Sequence, residues 1–227
     1  MNEIFCFGDG FAANHIWPEW PAIIEVLYPL VKNFGAIGAG NEFITTEIIE
    51  AHKKTPDAFY LVQWAAHNRF DKLVEDKSWN EVIQNDAAYH FNVVNSNNKT
   101  WWLSSASTNA DIKQYHRYYI QTDQSKLRTE NYKYLVNRLL KNQSIFFSTI
   151  ELDQFSKQDR FRHVRQNTVQ PSPIVHMAYV EEVILPKMPI KPDTKRIISL
   201  RDRINDQEWI PFHWDRTKIW HDITKDI

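Results

Sequence analysis

The first third of the chain alternates between short apolar runs and stretches with one apolar face. Residues 3–7 form a short apolar run that ends at Gly8-Asp9-Gly10, the pattern of a buried strand entering a tight turn. Residues 18–30 place Trp20, Ile23, Ile24 and Leu27 on one face, with Pro18 suited to a first turn, and predict a helix. A short strand over 31–34 runs into a second glycine loop, Asn33 to Asn41. Residues 42–53 then carry Phe43, Ile44, Ile48 and Ile49 at helical spacing. Thr55-Pro56-Asp57 breaks the chain, and 58–65 (Ala-Phe-Tyr-Leu-Val-Gln-Trp-Ala) predicts another buried strand. Strand, helix, strand, helix, strand with short connections implies a parallel sheet with helices on its faces. Any site then belongs at the carboxyl ends of the strands, where both glycine loops fall.

The pattern is weaker beyond residue 70. Residues 71–108 are polar with scattered aromatics, and Asn95-Ser-Asn-Asn-Lys marks a turn. Helices are predicted over 111–121 and 126–142, and a fourth strand over 144–150. Residues 152–195 are irregular in pattern and carry Pro171, Pro173, Pro186, Pro189 and Pro192. Residues 215–226 predict a closing helix. The expected architecture is one α/β domain over 1–227, a three-layer αβα sandwich of flavodoxin-like type with about five mainly parallel strands. A proline-rich insertion or arm occupies 152–198.

Composition sharpens this picture at three points. The 27 basic and 28 acidic residues give a net charge of -1, which argues against a partner bound through phosphate neutralisation, so no nucleic acid is expected. No apolar run approaches the ~18–20 residues of a membrane span, and the first residues lack a basic n-region. Neither a membrane nor a secretory signal is therefore expected. A single cysteine, Cys6, allows no intrachain disulfide and no cysteine-based zinc cluster. Glycine is scarce, five residues where average usage would give roughly 16. All five lie before residue 41, where positive φ or close backbone approach is the usual reason to keep them.

Several motifs bear on function. Phe7-Gly8-Asp9-Gly10-Phe11, Trp17-Pro-Glu-Trp-Pro21, Asn33-Phe-Gly35-Ala-Ile-Gly38-Ala-Gly40-Asn41 and Tyr60-Leu-Val-Gln-Trp64 with Arg69 stand in that order. Together they resemble the SGNH (GDSL-type) hydrolase superfamily, most closely its members in tailed bacteriophages. The resemblance covers residues 1–70, then 126–150 and the last 20 residues. It implies an αβα sandwich in which Ser, Gly, Asn and His carry ester hydrolysis. Position by position, the nucleophilic Ser of the first block corresponds to Gly10. The oxyanion-hole glycine corresponds to Gly38, and the oxyanion-hole Asn to His67 or Asn68. The catalytic His corresponds to His213, but Ile210 stands where its acid belongs. Without nucleophile or orienting acid, only binding and oxyanion stabilisation would remain.

The resemblance therefore implies a catalytically degenerate pocket (Asp9, Gly10, Gly38, Asn68, His213) on a protein used for binding or assembly. Its expected partners are other protein subunits of a phage particle, which places it in the virion or the host cytoplasm. Asp9 also has the turn position in which Asp bonds its own backbone. An active esterase or deacetylase would need a substitute nucleophile, with Ser104, Ser105 and Ser107 as candidates. A carbohydrate-binding module would stack ligand on Trp17, Trp64, Trp101 and Trp102. His67, Arg69 and Asn41 are candidate anion ligands at a strand end, and Arg69 could equally pair with a carboxylate. His213 and His221, with Asp215 and Asp222, are spaced two helical turns apart, too far for one metal ion without other ligands, so no metal and no cofactor is expected. Tyr115, Tyr118 and Tyr119 fit one helix face, and Arg160 to Arg165 is a short basic run. Val180, Val183, Ile184 and Leu185 would cover a neighbouring subunit if 166–198 is an arm, or their own domain if it is a flap.

Overall fold

A computed structural model of the chain describes residues 3–14, 17–74, 91–104, 122–164, 171–209 and 216–227. The first five elements follow the predicted alternation: β1 (Ile4–Phe7), α1 (Trp20–Leu27), β2 (Val31–Asn33), α2 (Asn41–Lys54) and β3 (Phe59–Trp64). Helix α1 is shorter than its apolar pattern, because Tyr28 already has extended backbone and Val31 begins the next strand. A hairpin-rich stretch follows, with β4 (Phe70–Val74), β5 (Phe91–Ser96) and β6 (Lys99–Ser104). Then come α3 (Thr122–Leu140), β7 (Ser144–Ser148), α4 (Thr149–Ser156), α5 (Pro173–Tyr179), α6 (Thr194–Asn205) and α7 (Arg216–Thr224).

The central sheet has the order β2-β1-β3-β7, and all three pairings are parallel. Four strands are thus seen among the described residues, against about five expected. Alternate strand residues point to opposite faces. Ile4, Cys6, Leu61, Ile145 and Phe147 pack with α1, α5 and α6 on one side. Phe5, Phe7, Tyr60 and Val62 pack with α2 and α3 on the other. The protein is therefore an α/β sandwich of three layers.

The second sheet, of order β4-β6-β5, is antiparallel and was not legible in the sequence. Its hairpin turns at Asn97 and Asn98, both at positive φ (50° and 62°), as a two-residue turn between twisted strands requires. Asn95 to Lys99 is thus the turn that composition indicated. Trp101 packs edge-to-face on Phe43 of α2 at 5.6 Å, and buried Glu47 of the same helix accepts hydrogen bonds from Ser96 and Asn97.

The proline-rich stretch is not an arm in its described part. Residues 171–188 form α5, a π-helical continuation over Val180–Ile184 and a 3-10 turn over Leu185–Lys187. Pro173 stands in the first turn of α5, where its missing N–H costs nothing. Val180, Ile184 and Leu185 are buried in the chain's own core, and Val183 packs against that core. Backbone contacts fasten the same stretch: the Trp17 indole donates to the Pro171 carbonyl (2.7 Å), and the Tyr28 hydroxyl to that of Ile190 (2.8 Å). The expectation of a partner-covering arm is corrected accordingly, since Val180, Ile184 and Leu185 are buried within the chain itself and Val183 is partly buried against the same core. Of the basic run, Arg160 pairs through both guanidinium NH groups with Glu182 (2.6 and 2.7 Å) within the chain.

Candidate functional site

The carboxyl ends of β1, β3 and β7 converge as the alternation requires. Strand β1 ends in a turn in which the Ala12 N–H donates to the Asp9 carbonyl (2.8 Å) and the Phe11 N–H to Asp9 Oδ1 (3.1 Å). The Asp9 side chain is 0% exposed. Gln63, the one polar residue of β3, donates from Nε2 to Asp9 Oδ1 (3.0 Å) and to the Thr149 hydroxyl (2.8 Å). Thr149, the residue after β7, donates in turn to Asp9 Oδ2 (2.9 Å). Gln63 Oε1 accepts from the Trp20 indole, so its amide orientation is fixed. Arg69 stands 3.8 Å from Asp9 Oδ2, an ion pair longer than a hydrogen bond. Burial raises the Asp9 pKa, and the Arg69 charge, the Phe11 N–H and the Thr149 hydroxyl act against that rise.

Every carboxylate oxygen of Asp9 is thus engaged within the protein. Gly10 beside it is buried and offers no side chain. At this turn the chain has built a polar knot between strands.

The second glycine loop shows the same economy. Gly38 has φ 80°, the left-handed conformation that favours glycine. Gly40 is the N-cap of α2 and has no side chain with which to cap it. Asp71 of β4 caps the helix instead, accepting from the Gly40 N–H at Oδ1 and from the Phe43 N–H at Oδ2 (2.9 Å). A Cβ on Gly40 would lie 2.7 Å from both Asp71 oxygens, so only glycine lets the carboxylate come this close. Burial lifts the Asp71 carboxyl to about 7, with the two N–H groups opposing the rise. Next to it Asn41 joins α2 to β3: its Oδ1 accepts from the Ala65 N–H (2.9 Å) and its Nδ2 donates to the Ala65 carbonyl (3.1 Å). The N–H groups of Gly40 and Phe43, which a helix start could offer a ligand, are taken by the chain's own carboxylate.

Of the predicted site residues, the structure brings Asp9 and Arg69 together. It places Asn41, His67 and Arg69 around one cavity of about 30 Å³, also lined by Asp71, Arg128 and Thr129. That is room for about two waters. Asn68 is exposed on the adjoining turn. His213, Ile210, Ser105, Ser107, Asp215, Tyr115, Tyr118, Tyr119 and Arg165 lie outside the described residues. His221 and Asp222 are exposed on α7. Trp17, Trp64 and Trp101 are buried in the core, so their ring faces are not available to a sugar, while the side chain of Trp102, the fourth residue of the carbohydrate-binding expectation, lies outside the described residues. Sequence reasoning missed Gln63, Thr149, Asp71 and Arg128. Gln63 carried a signal, as a polar residue inside an apolar strand must find buried partners. Thr149 carried another, as the residue at the end of the fourth parallel strand.

Comparison with protein-family models, with curated proteins and with solved structures finds no match for this chain. What is established is the class of fold, an α/β sandwich with a polar knot at its strand ends.

Proposed function

We propose that this protein is a catalytically degenerate hydrolase of the SGNH type that serves a binding or assembly role, as a component of a tailed-phage particle. One observation carries the reading: beside Gly10, which the resemblance aligns with that family's nucleophile, Asp9 spends both carboxylate oxygens on Phe11, Gln63 and Thr149. The start of α2 adds to it, because the N–H groups of Gly40 and Phe43, which follow Gly38, are taken by Asp71 and not offered to a substrate oxygen. A binding role is supported by α3, which exposes Leu127 (64%), Tyr134 (69%) and Leu135 (48%) to solvent, apolar surface suited to other protein subunits.

A second reading, an active esterase with a substitute nucleophile, draws on one register. Ser104 pairs with Phe70, the residue after Arg69, which brings the end of β6 beside the strand-end turn. Hydrolysis of short-chain p-nitrophenyl esters separates the two. The degenerate reading expects no turnover above buffer from the wild type, whether or not Gly10→Ser introduces some. Wild-type turnover that His213→Ala abolishes would favour the esterase instead.

A further inference from the structure

The cavity between β3, α2 and α3 is lined by two arginines, by further hydrogen-bond donors, and by the carboxyl groups of Asp71 and Glu42. Arg69 enters from the turn after β3, its side chain 24% exposed and its one acidic contact, Asp9, at 3.8 Å. Arg128 enters from α3 and makes no ion pair among the described residues. The Thr129 hydroxyl accepts from Asn41 Nδ2 (3.2 Å), which leaves its own hydrogen free to donate. His67 and Ser125 complete the donor set. Two carboxylates share the wall: Asp71 is turned onto the backbone of Gly40 and Phe43, and Glu42 lies close enough to Tyr132 to help burial raise its hydroxyl pKa.

A cation entering this space would meet two guanidinium groups, with Asp71 already turned onto the start of α2 and Glu42 as the other carboxyl group in the wall. An apolar group would strand several polar ones. A small anion would satisfy both arginines, whose planar forks match tetrahedral and carboxylate oxygens in pairs. The cavity volume of about 30 Å³ restricts the buried part to one compact group.

We propose that this cleft binds a single tetrahedral oxyanion, of the phosphate or sulfate type, between Arg69 and Arg128. The assignment does not require that Gly10 has lost an ester-hydrolase role, although Arg69 also stands 3.8 Å from Asp9 of that turn. The ion is either free or the terminal group of a larger ligand whose remainder projects into solvent.

Calorimetric titration of the full chain with sodium sulfate, sodium phosphate and phenyl phosphate, in chloride buffer of matched ionic strength, tests the site. One equivalent of sulfate or phosphate is expected to bind, with a dissociation constant of about 1 mM. Arg128→Gln, at an exposed position, should weaken binding about tenfold, and Arg69→Gln at least as much. Lys133→Gln removes the same charge from α3 outside the cleft and should leave binding unchanged. Tighter binding of phenyl phosphate than of inorganic phosphate would assign the site to a terminal phosphate group, and equal or weaker binding to the free ion. Sulfate binding no stronger than chloride binding would overturn the proposal. So would a loss on Lys133→Gln equal to that on Arg128→Gln, because the attraction would then be diffuse charge and not a site.

Discussion

Replacing Asp9 by alanine is expected to cost about 3–5 kcal/mol of folding stability, the range for breaking a buried, hydrogen-bonded charge. The carboxylate accepts from Phe11, Gln63 and Thr149 and lies 3.8 Å from Arg69, all in a region closed to water. Its removal leaves one Gln63 N–H and the Thr149 hydroxyl with no acceptor, and opens a void between β1, β3 and β7. Asp9→Asn is the informative companion. The amide keeps the shape and one oxygen acceptor, so about half of the loss should return. Equilibrium denaturation in urea measures both. A loss below about 1 kcal/mol for Asp9→Ala would show that the knot does not hold the strand ends together, and would free Asp9 for a role in chemistry.

The second large effect is expected at Ile184, whose truncation to alanine should cost about 2–5 kcal/mol. Ile184 is fully buried among residues of α1, α5 and α6. Were the segment an arm resting on another subunit, the isolated chain would lose almost nothing. Urea denaturation of Ile184→Ala against wild type therefore decides between a flap that belongs to this core and an arm that does not. A change within about 0.5 kcal/mol would favour the arm.

The two effects fall on opposite sides of what the sequence makes readable. The elements from β1 to β3 are legible to within a few residues because apolar runs and one-faced helices alternate with short breaks there. The stretch around Ile184 is not, because its prolines suggest irregular chain. Prolines mark irregularity only in helix interiors and inner strands. Here Pro173 stands at a helix start and Pro186 within a 3-10 turn. Helix α6 escaped notice too, although Asp193 caps it by accepting from the Lys195 N–H (3.0 Å). Its many charges dilute an apolar stripe of which Leu200 and Ile204 are the buried members.

The candidate site was legible in position and not in detail. The strand-end rule and the clustered glycines point to Asp9, Gly38, Asn41 and Arg69. The partners of Asp9 come from residues 63 and 149, far apart in sequence, and only the parallel register of β1, β3 and β7 brings them together. The capping of α2 by Asp71 depends on β4 returning across the helix start, which no local pattern announces.

The central claim, that no nucleophile is activated at these strand ends, is tested most directly by exposing the folded wild-type protein to a fluorophosphonate ester and measuring intact mass. A serine activated by a neighbouring base attacks the phosphorus, expels fluoride and retains the phosphonyl group, whereas an ordinary serine does not react. The account predicts an unchanged mass after prolonged exposure. A stoichiometric adduct, mapped by peptide sequencing to Ser104, Ser105, Ser107 or Ser125, would contradict it.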